Sequence, residues 1–208
     1  MDKSQLKSLW VNLTLPISDY QTLNHWWGVL VRKYSQKRRA YHNLTHIGDM
    51  MTLCEKHKDS LKDPEILAFS IFFHDLIYSP TSKDNELRSA LKATEFLTDN
   101  EVEEERIAIC YHQILLTRTH QGEHLHQDAQ FLIDFDLAVL GREWAAYELY
   151  TRQIRKEYWM YPGPMYRKGR KAVLQQFLTR DRIFHTAHFH ELLEERARLN
   201  IQQEIDRL

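Results

Sequence analysis

A histidine and an aspartate, His74 and Asp75, stand side by side in the apolar stretch "IFFHDLIYSP" (residues 71–80). Placing a lone carboxylate among such neighbours costs on the order of several kcal/mol unless it is paired, hydrogen-bonded or bound to a metal. Further ligand-type side chains lie at regular intervals. "YHNLTHIGD" supplies His42 and His46, which share one face if the segment is helical, and "FLIDFDLAVLG" supplies Asp134 and Asp136, which point to nearly opposite sides. Imidazole and carboxylate together suit a divalent metal. The rival explanation is a set of hydrogen-bonded core residues, the ordinary state of buried polar groups. The chain has 12 histidines, enough for accidental H-x-x-x-H spacings, so His42 and His46 carry weight only beside the other residues.

Helices must position these groups. Only six glycines and five prolines interrupt 208 residues, and apolar residues recur at three- and four-residue spacing. The pattern predicts one all-α domain over residues 1–208, a bundle of about nine helices. They fall near 4–13, 18–36 (with Leu23, Trp26, Trp27, Leu30 and Tyr34), 45–57, 84–98, 102–117, 127–140 stopped by Gly141, 143–159, 165–179 and 189–206, besides the one that carries the His-Asp pair. That helix is the best delimited: Asp63 is a good N-cap, Pro64 suits the first helical position, and Glu65 favours the positive end of the dipole. Ile66, Leu67, Phe69, Ile71, Phe72, Phe73, Leu76 and Ile77 cover every face, so it is predicted to run through the core and carry His74 and Asp75 with it.

Adjacent side chains on a helix diverge by about 100°. His74 and Asp75 therefore reach one ion only if it lies between their directions near the helix end, with ligands from other helices completing the shell. Of the two later aspartates, Asp136 has the more apolar helical neighbours (Leu132, Ile133, Val139, Leu140), against Gln130, Phe131, Leu137 and Ala138 for Asp134. It is expected to be the better buried and hence the ligand.

A formal net charge of −1 gives no global field for nucleic acid or an anionic membrane. The N-terminus lacks the apolar run of a signal peptide, and no segment approaches the ~20 apolar residues of a membrane span. Cys54 and Cys110 are far apart in helical-looking segments, which suits free buried thiols. A cytoplasmic, soluble chain is expected.

His46, the pair His74–Asp75 28 residues later and a distant Asp136 on an apolar helix resemble the HD superfamily of metal-dependent phosphohydrolases. The segments "RAYHNLTHI" (39–47), "FFHDLIY" (72–78), "NELRSA" (85–90), "TRTH" (117–120), "DFDLAVLG" (134–141), "REWAAYELYTRQIRKEY" (142–158) and "EERARLN" (194–200) are similar to one branch of predicted phosphohydrolases within it. The resemblance covers nearly the whole chain. It implies a helical domain of the HD type in which His46, His74, Asp75 and Asp136 hold a divalent metal (Mn, Fe, Co, Ni, Zn or Mg) that binds the substrate phosphate and acidifies water. Some members hold a second metal through further histidines, for which His120 and His112 are the candidates. Asp75 and Glu86 would be the catalytic carboxylates, Glu86 orienting or deprotonating the water. Arg39 and the basic "RKGRK" at 167–171, with Lys168 and Arg170, would contact the phosphate, and His42 the substrate.

The implied substrate is a small phosphorylated metabolite, a nucleotide by analogy with the superfamily, with no nucleic acid or membrane partner and a homodimer left open. The alternative is a catalytically idle HD module that binds a nucleotide or steadies a partner. A di-iron oxidative site is a third option. Plainer roles stand beside each residue: Glu86 in an intrahelical ion pair, Arg170 paired with an acid, Asp134 on the helix surface or behind the ligands, and His124 and His126 in a solvated loop. "EERARLN" reads as a salt-bridge element, and Trp26, Trp27, Trp144 and Trp159 as core.

Overall fold

A computed structural model describes residues 1–121 and 126–208, so His124 lies outside the described residues. The described residues form ten α-helices, two short 3-10 turns and no strand, which is the expected all-α class. None of these helices is long and apolar enough to cross a membrane. The chain divides into two compact units, Met1–Leu132 and Ile133–Leu208.

The first unit contains α1 (Lys3–Thr14), α2 (Tyr20–Tyr34), α3 (Leu44–Lys56), α4 (Pro64–Phe73), α5 (Asn85–Asp99) and α6 (Glu104–Leu116). Its centre is an aromatic cluster: Trp10 packs on Phe69, Phe72, Phe73 and Phe96 at centroid distances of 5.2–6.2 Å, and Trp26 packs on Phe73 and Phe96. Every residue of α4 from Ile66 to Phe73 is buried, as its all-round apolar sequence requires. Its one polar member, Ser70, donates to the Ile66 carbonyl at 3.0 Å and to Gln113 Oε1 at 2.6 Å.

The start of α4 is held as the cap residues predict. Asp63 accepts from the Ile66 N–H at 3.1 Å, and Arg106 forms a bidentate pair with the same carboxylate at 2.7 and 2.9 Å. Buried Asp128 takes the backbone N–H groups of Lys62 and Asp63. Its C-terminus departs from expectation: regular helix stops at Phe73, His74 is the C-cap, and Asp75 to Ile77 form a turn. Both expected thiols are free and buried, and burial pushes Cys54 and Cys110 up to about 12.

Helix α7 (Gln127–Leu137) bridges the division of the chain. In the second unit it gives way to a 3-10 turn at Ala138–Gly141, followed by α8 (Trp144–Glu157), α9 (Gly163–Leu178) and α10 (Ala187–Arg207). The expected helix to residue 140 therefore ends at Leu137. Gly141 permits close approach here: a Cβ would stand 2.5 Å from Leu193 Cβ and 2.9 Å from the Leu193 carbonyl oxygen of α10. Asn200 of α10 donates to the Leu140 and Arg142 carbonyls, both at 2.8 Å. Glu194 receives the Ile183 and Phe184 N–H groups and pairs with Arg198 at 2.7 Å, so part of "EERARLN" is the salt-bridge element it resembles. Trp26 and Trp27 are buried, but Trp159 is 53% exposed and is not core.

Candidate metal centre

The turn after α4 brings together what a continuing helix would have separated. His74 Nε2 lies 3.1 Å from Asp75 Oδ2, so the two side chains meet, contrary to the divergence expected of helical neighbours. His74 Nε2 also lies 3.3 Å from His46 Nε2. Both imidazoles are buried, while the Asp75 side chain is 15% exposed.

The His74 ring is oriented from behind. Its Nδ1 is 2.9 Å from the Ile71 carbonyl, an acceptor only, so Nδ1 carries the proton and Nε2 presents its lone pair in the neutral ring. This is the arrangement of a metal-binding histidine whose outer nitrogen donates to the protein. Two nitrogens held by one ion at about 2.0–2.1 Å and a tetrahedral angle stand about 3.3–3.4 Å apart. The observed separation fits that value. The two imidazoles thus form a buried pair able to take part in holding a divalent metal, with the Asp75 carboxylate beside His74.

His46 enters from the first turn of α3. Asn43, the N-cap, accepts from the Thr45 N–H at 2.8 Å and donates to the Ala40 carbonyl at 2.9 Å, fixing the loop to the helix start. The Tyr41 ring packs on His46 at 4.9 Å. His42 precedes α3, so it does not share a helical face with His46; its ring lies against Tyr78 at 4.4 Å and 31°.

Arg39 has a different position from that expected of a phosphate clamp. It is buried, and its guanidinium donates to the Asp75 carbonyl, to the Leu76 carbonyl at 2.9 Å and to the His42 carbonyl at 3.4 Å. In this structure its guanidinium braces backbone.

"NELRSA" has a similar part. Asn85 accepts from the Ser79 N–H at 3.0 Å and donates to the Ser79 carbonyl at 2.8 Å; Ser89 Oγ accepts from the Ile77 N–H at 3.0 Å and donates to its carbonyl at 3.3 Å. Glu86, between them in the first turn of α5, is half-buried. Sequence reasoning found this motif but missed the positioning work of Asn85 and Ser89. Their one signal was polar residues at buried positions of an amphipathic helix. Beyond α6, His120 is half-buried with φ 52°, and His112 is exposed on α6 itself.

In the second unit the two aspartates of α7 reverse their expected burial. Asp134 is 0% exposed and Asp136 only half-buried, because the helix ends at Leu137 and the neighbours assumed beyond it do not lie on its face. Asp134 accepts from the His185 N–H at 2.7 Å, the Thr186 N–H at 2.8 Å and Thr186 Oγ1 at 2.6 Å. Burial pushes its carboxyl upward, against those bonds. It is neither a surface residue nor, with both oxygens committed to the start of α10, a convenient metal ligand.

Of the basic run, Lys168 is exposed. Arg170 takes the plainer of its two roles: it is paired with Glu204, Nε to Oε1 at 2.8 Å and Nη2 to Oε2 at 3.1 Å, and Tyr147 donates to the same carboxylate. A phosphate reaching Arg170 would compete with Glu204 for its guanidinium. His126 is exposed.

Compared with known proteins, the chain matches no family model, no curated protein and no solved structure.

Proposed function

We propose that the chain is a metal-dependent phosphohydrolase of the HD type, acting on a small phosphorylated metabolite and by superfamily analogy on a nucleotide. The observation that supports it most is the pair of buried imidazole Nε2 atoms 3.3 Å apart, with the Asp75 carboxylate 3.1 Å from that of His74. His46, His74 and Asp75 would hold the ion, and Asp136 is the proposed remaining ligand. That choice rests on the resemblance and on Asp134 being fully engaged within its own unit. A divalent metal bound there supplies a Lewis acid for a phosphoryl oxygen and acidifies water near neutral pH.

The protein's own groups do the rest. His74 keeps one tautomer through Ile71, and Asp75, the most exposed of the three first-unit ligands, is the carboxylate that incoming substrate and water meet first. Glu86 is proposed to accept the water's proton. With Arg39 on backbone and Arg170 on Glu204, the substrate's negative charge falls chiefly to the metal.

The test is phosphate or nucleoside release from a nucleotide panel with Mn, Co, Ni, Mg or Zn, comparing the wild type with Asp75→Ala. Turnover lost in the folded variant supports the hydrolase. Metal-replete protein that turns over no phosphoester or phosphoanhydride would sink it, and tight nucleotide binding without turnover, unchanged in His74→Ala, would establish the idle binding module instead.

A further inference from the structure

Arg39 spans the two segments that bear the ligands. On one side is the His42 carbonyl, four residues before His46; on the other are the Asp75 and Leu76 carbonyls, directly after His74. Its planar head lies 5.1 Å from the Tyr34 ring centroid and 5.4 Å from that of Tyr78, and its Nε points to Gln36 Oε1 at 3.4 Å.

The backbone around the ligand turn is otherwise held from residue to residue. Ser70 O accepts from the His74 N–H, Ile71 O from His74 Nδ1, Phe72 O from the Tyr34 hydroxyl at 2.9 Å and Phe73 O from the Leu76 N–H; Ile77 and Ser79 are held by Ser89 and Asn85. Arg39 covers the Asp75 and Leu76 carbonyls, at the end of a helix where the dipole favours positive charge.

We propose that Arg39 is a positioning residue for the metal ligands: by tying the segment before His46 to the turn after His74 it sets the separation of the two Nε2 atoms. The proposal rests on the metal reading above. Lysine cannot substitute, since a single ammonium on a flexible stem neither bridges separated carbonyls in one plane nor stacks between rings. Residues that orient ligands from behind change metal affinity by about 10–100-fold.

The test is a Co²⁺ titration followed by visible absorption, on wild type, His74→Ala, Arg39→Lys and Arg39→Ala, each checked for helicity by far-UV circular dichroism. Expected are an Arg39→Lys chain of native helicity that binds Co²⁺ about 10–100-fold more weakly with an altered d–d spectrum, and recovery of Arg39→Ala by added methylguanidinium. Arg39 variants that bind within about twofold of wild type, or an Arg39→Ala defect that methylguanidinium leaves unchanged, overturn the inference while the metal reading stands. Loss of the fold in Arg39→Lys also overturns it, because the residue would then serve the whole unit. A wild type that takes up no Co²⁺, or a His74→Ala chain that binds equally well, sinks the metal reading and the inference with it.

Discussion

Two buried polar clusters, one in each unit, use similar residues to opposite effect. In the second unit Glu204 accepts from Tyr147 and, twice, from Arg170, whose guanidinium also lies over the Tyr150 ring at 5.3 Å. Donor meets acceptor throughout and the charges cancel. In the first unit His46 Nε2 and Asp75 Oδ2 both approach His74 Nε2, while the N–H of the His74 ring is turned away to Ile71. A neutral His46 ring with its proton on Nε2 would join the two nitrogens by one hydrogen bond, whereas a divalent ion would take the lone pairs of both. Burial alone therefore does not distinguish a cross-link from a site; the match of donors to acceptors does.

The comparison breaks most readily at His74. His74→Ala should lower metal affinity by at least about 100-fold, read as metal retained per chain after gel filtration, while urea unfolding of the metal-free protein changes less. Retention equal to wild type would reduce the first cluster to ordinary core polarity. In the other cluster, Arg170→Ala leaves the Glu204 carboxylate buried and unpaired and should cost about 3–5 kcal/mol in urea unfolding, with metal affinity unchanged. Replacing Arg170, Glu204 and Tyr147 together by apolar residues should recover most of that loss. If it does not, the cluster has a role beyond linking helices.

Acid should affect both units through their anchoring carboxylates. Burial raises Glu194, but the Phe184 and Ile183 N–H groups and Arg198 outweigh it and hold the carboxyl below 4.5. Burial likewise opposes the Arg106 and Ile66 bonds at Asp63, which still lies below 3.8. A depressed folded value means stability fully present above the unfolded value and lost as pH falls through the folded one. Thermal scans should thus be flat with respect to these groups above pH 4.5 and decline below it, and Glu194→Gln should flatten the decline. The smallest effect concerns Cys54 and Cys110, pushed up to about 12 by burial. Ellman's reagent at pH 8 should label neither until the chain is unfolded; fast labelling would mean that the first unit opens readily.

Helical periodicity made the all-α class and most helix positions legible, and Asp63-Pro64 marked the start of α4 correctly. The end of α4 was not legible, because Leu76 and Ile77 continue the apolar pattern while tertiary bonds from Tyr34 and Arg39 draw the chain into a turn. The same limit affected α7: neighbours counted beyond Leu137 made Asp136 look the better buried, although Asp134 is. His46, His74 and Asp75 are candidates by residue type, with the resemblance choosing His46 over His42, and the structure places the His46 and His74 Nε2 atoms 3.3 Å apart. The roles of Arg39, Asn85, Ser89 and Arg170 depend on which carbonyl or carboxylate happens to be near, and no spacing encodes that.

Asn85 and Ser89 also have a consequence unrelated to catalysis. They satisfy the N–H and carbonyl of residues 79 and 77, alternate positions of an irregular segment, much as a neighbouring strand would. The stretch from Ile77 to Ser79 is in effect an edge already occupied by side chains. A helical protein that carries a short irregular piece after His74 thereby avoids offering it as a template for another chain's backbone.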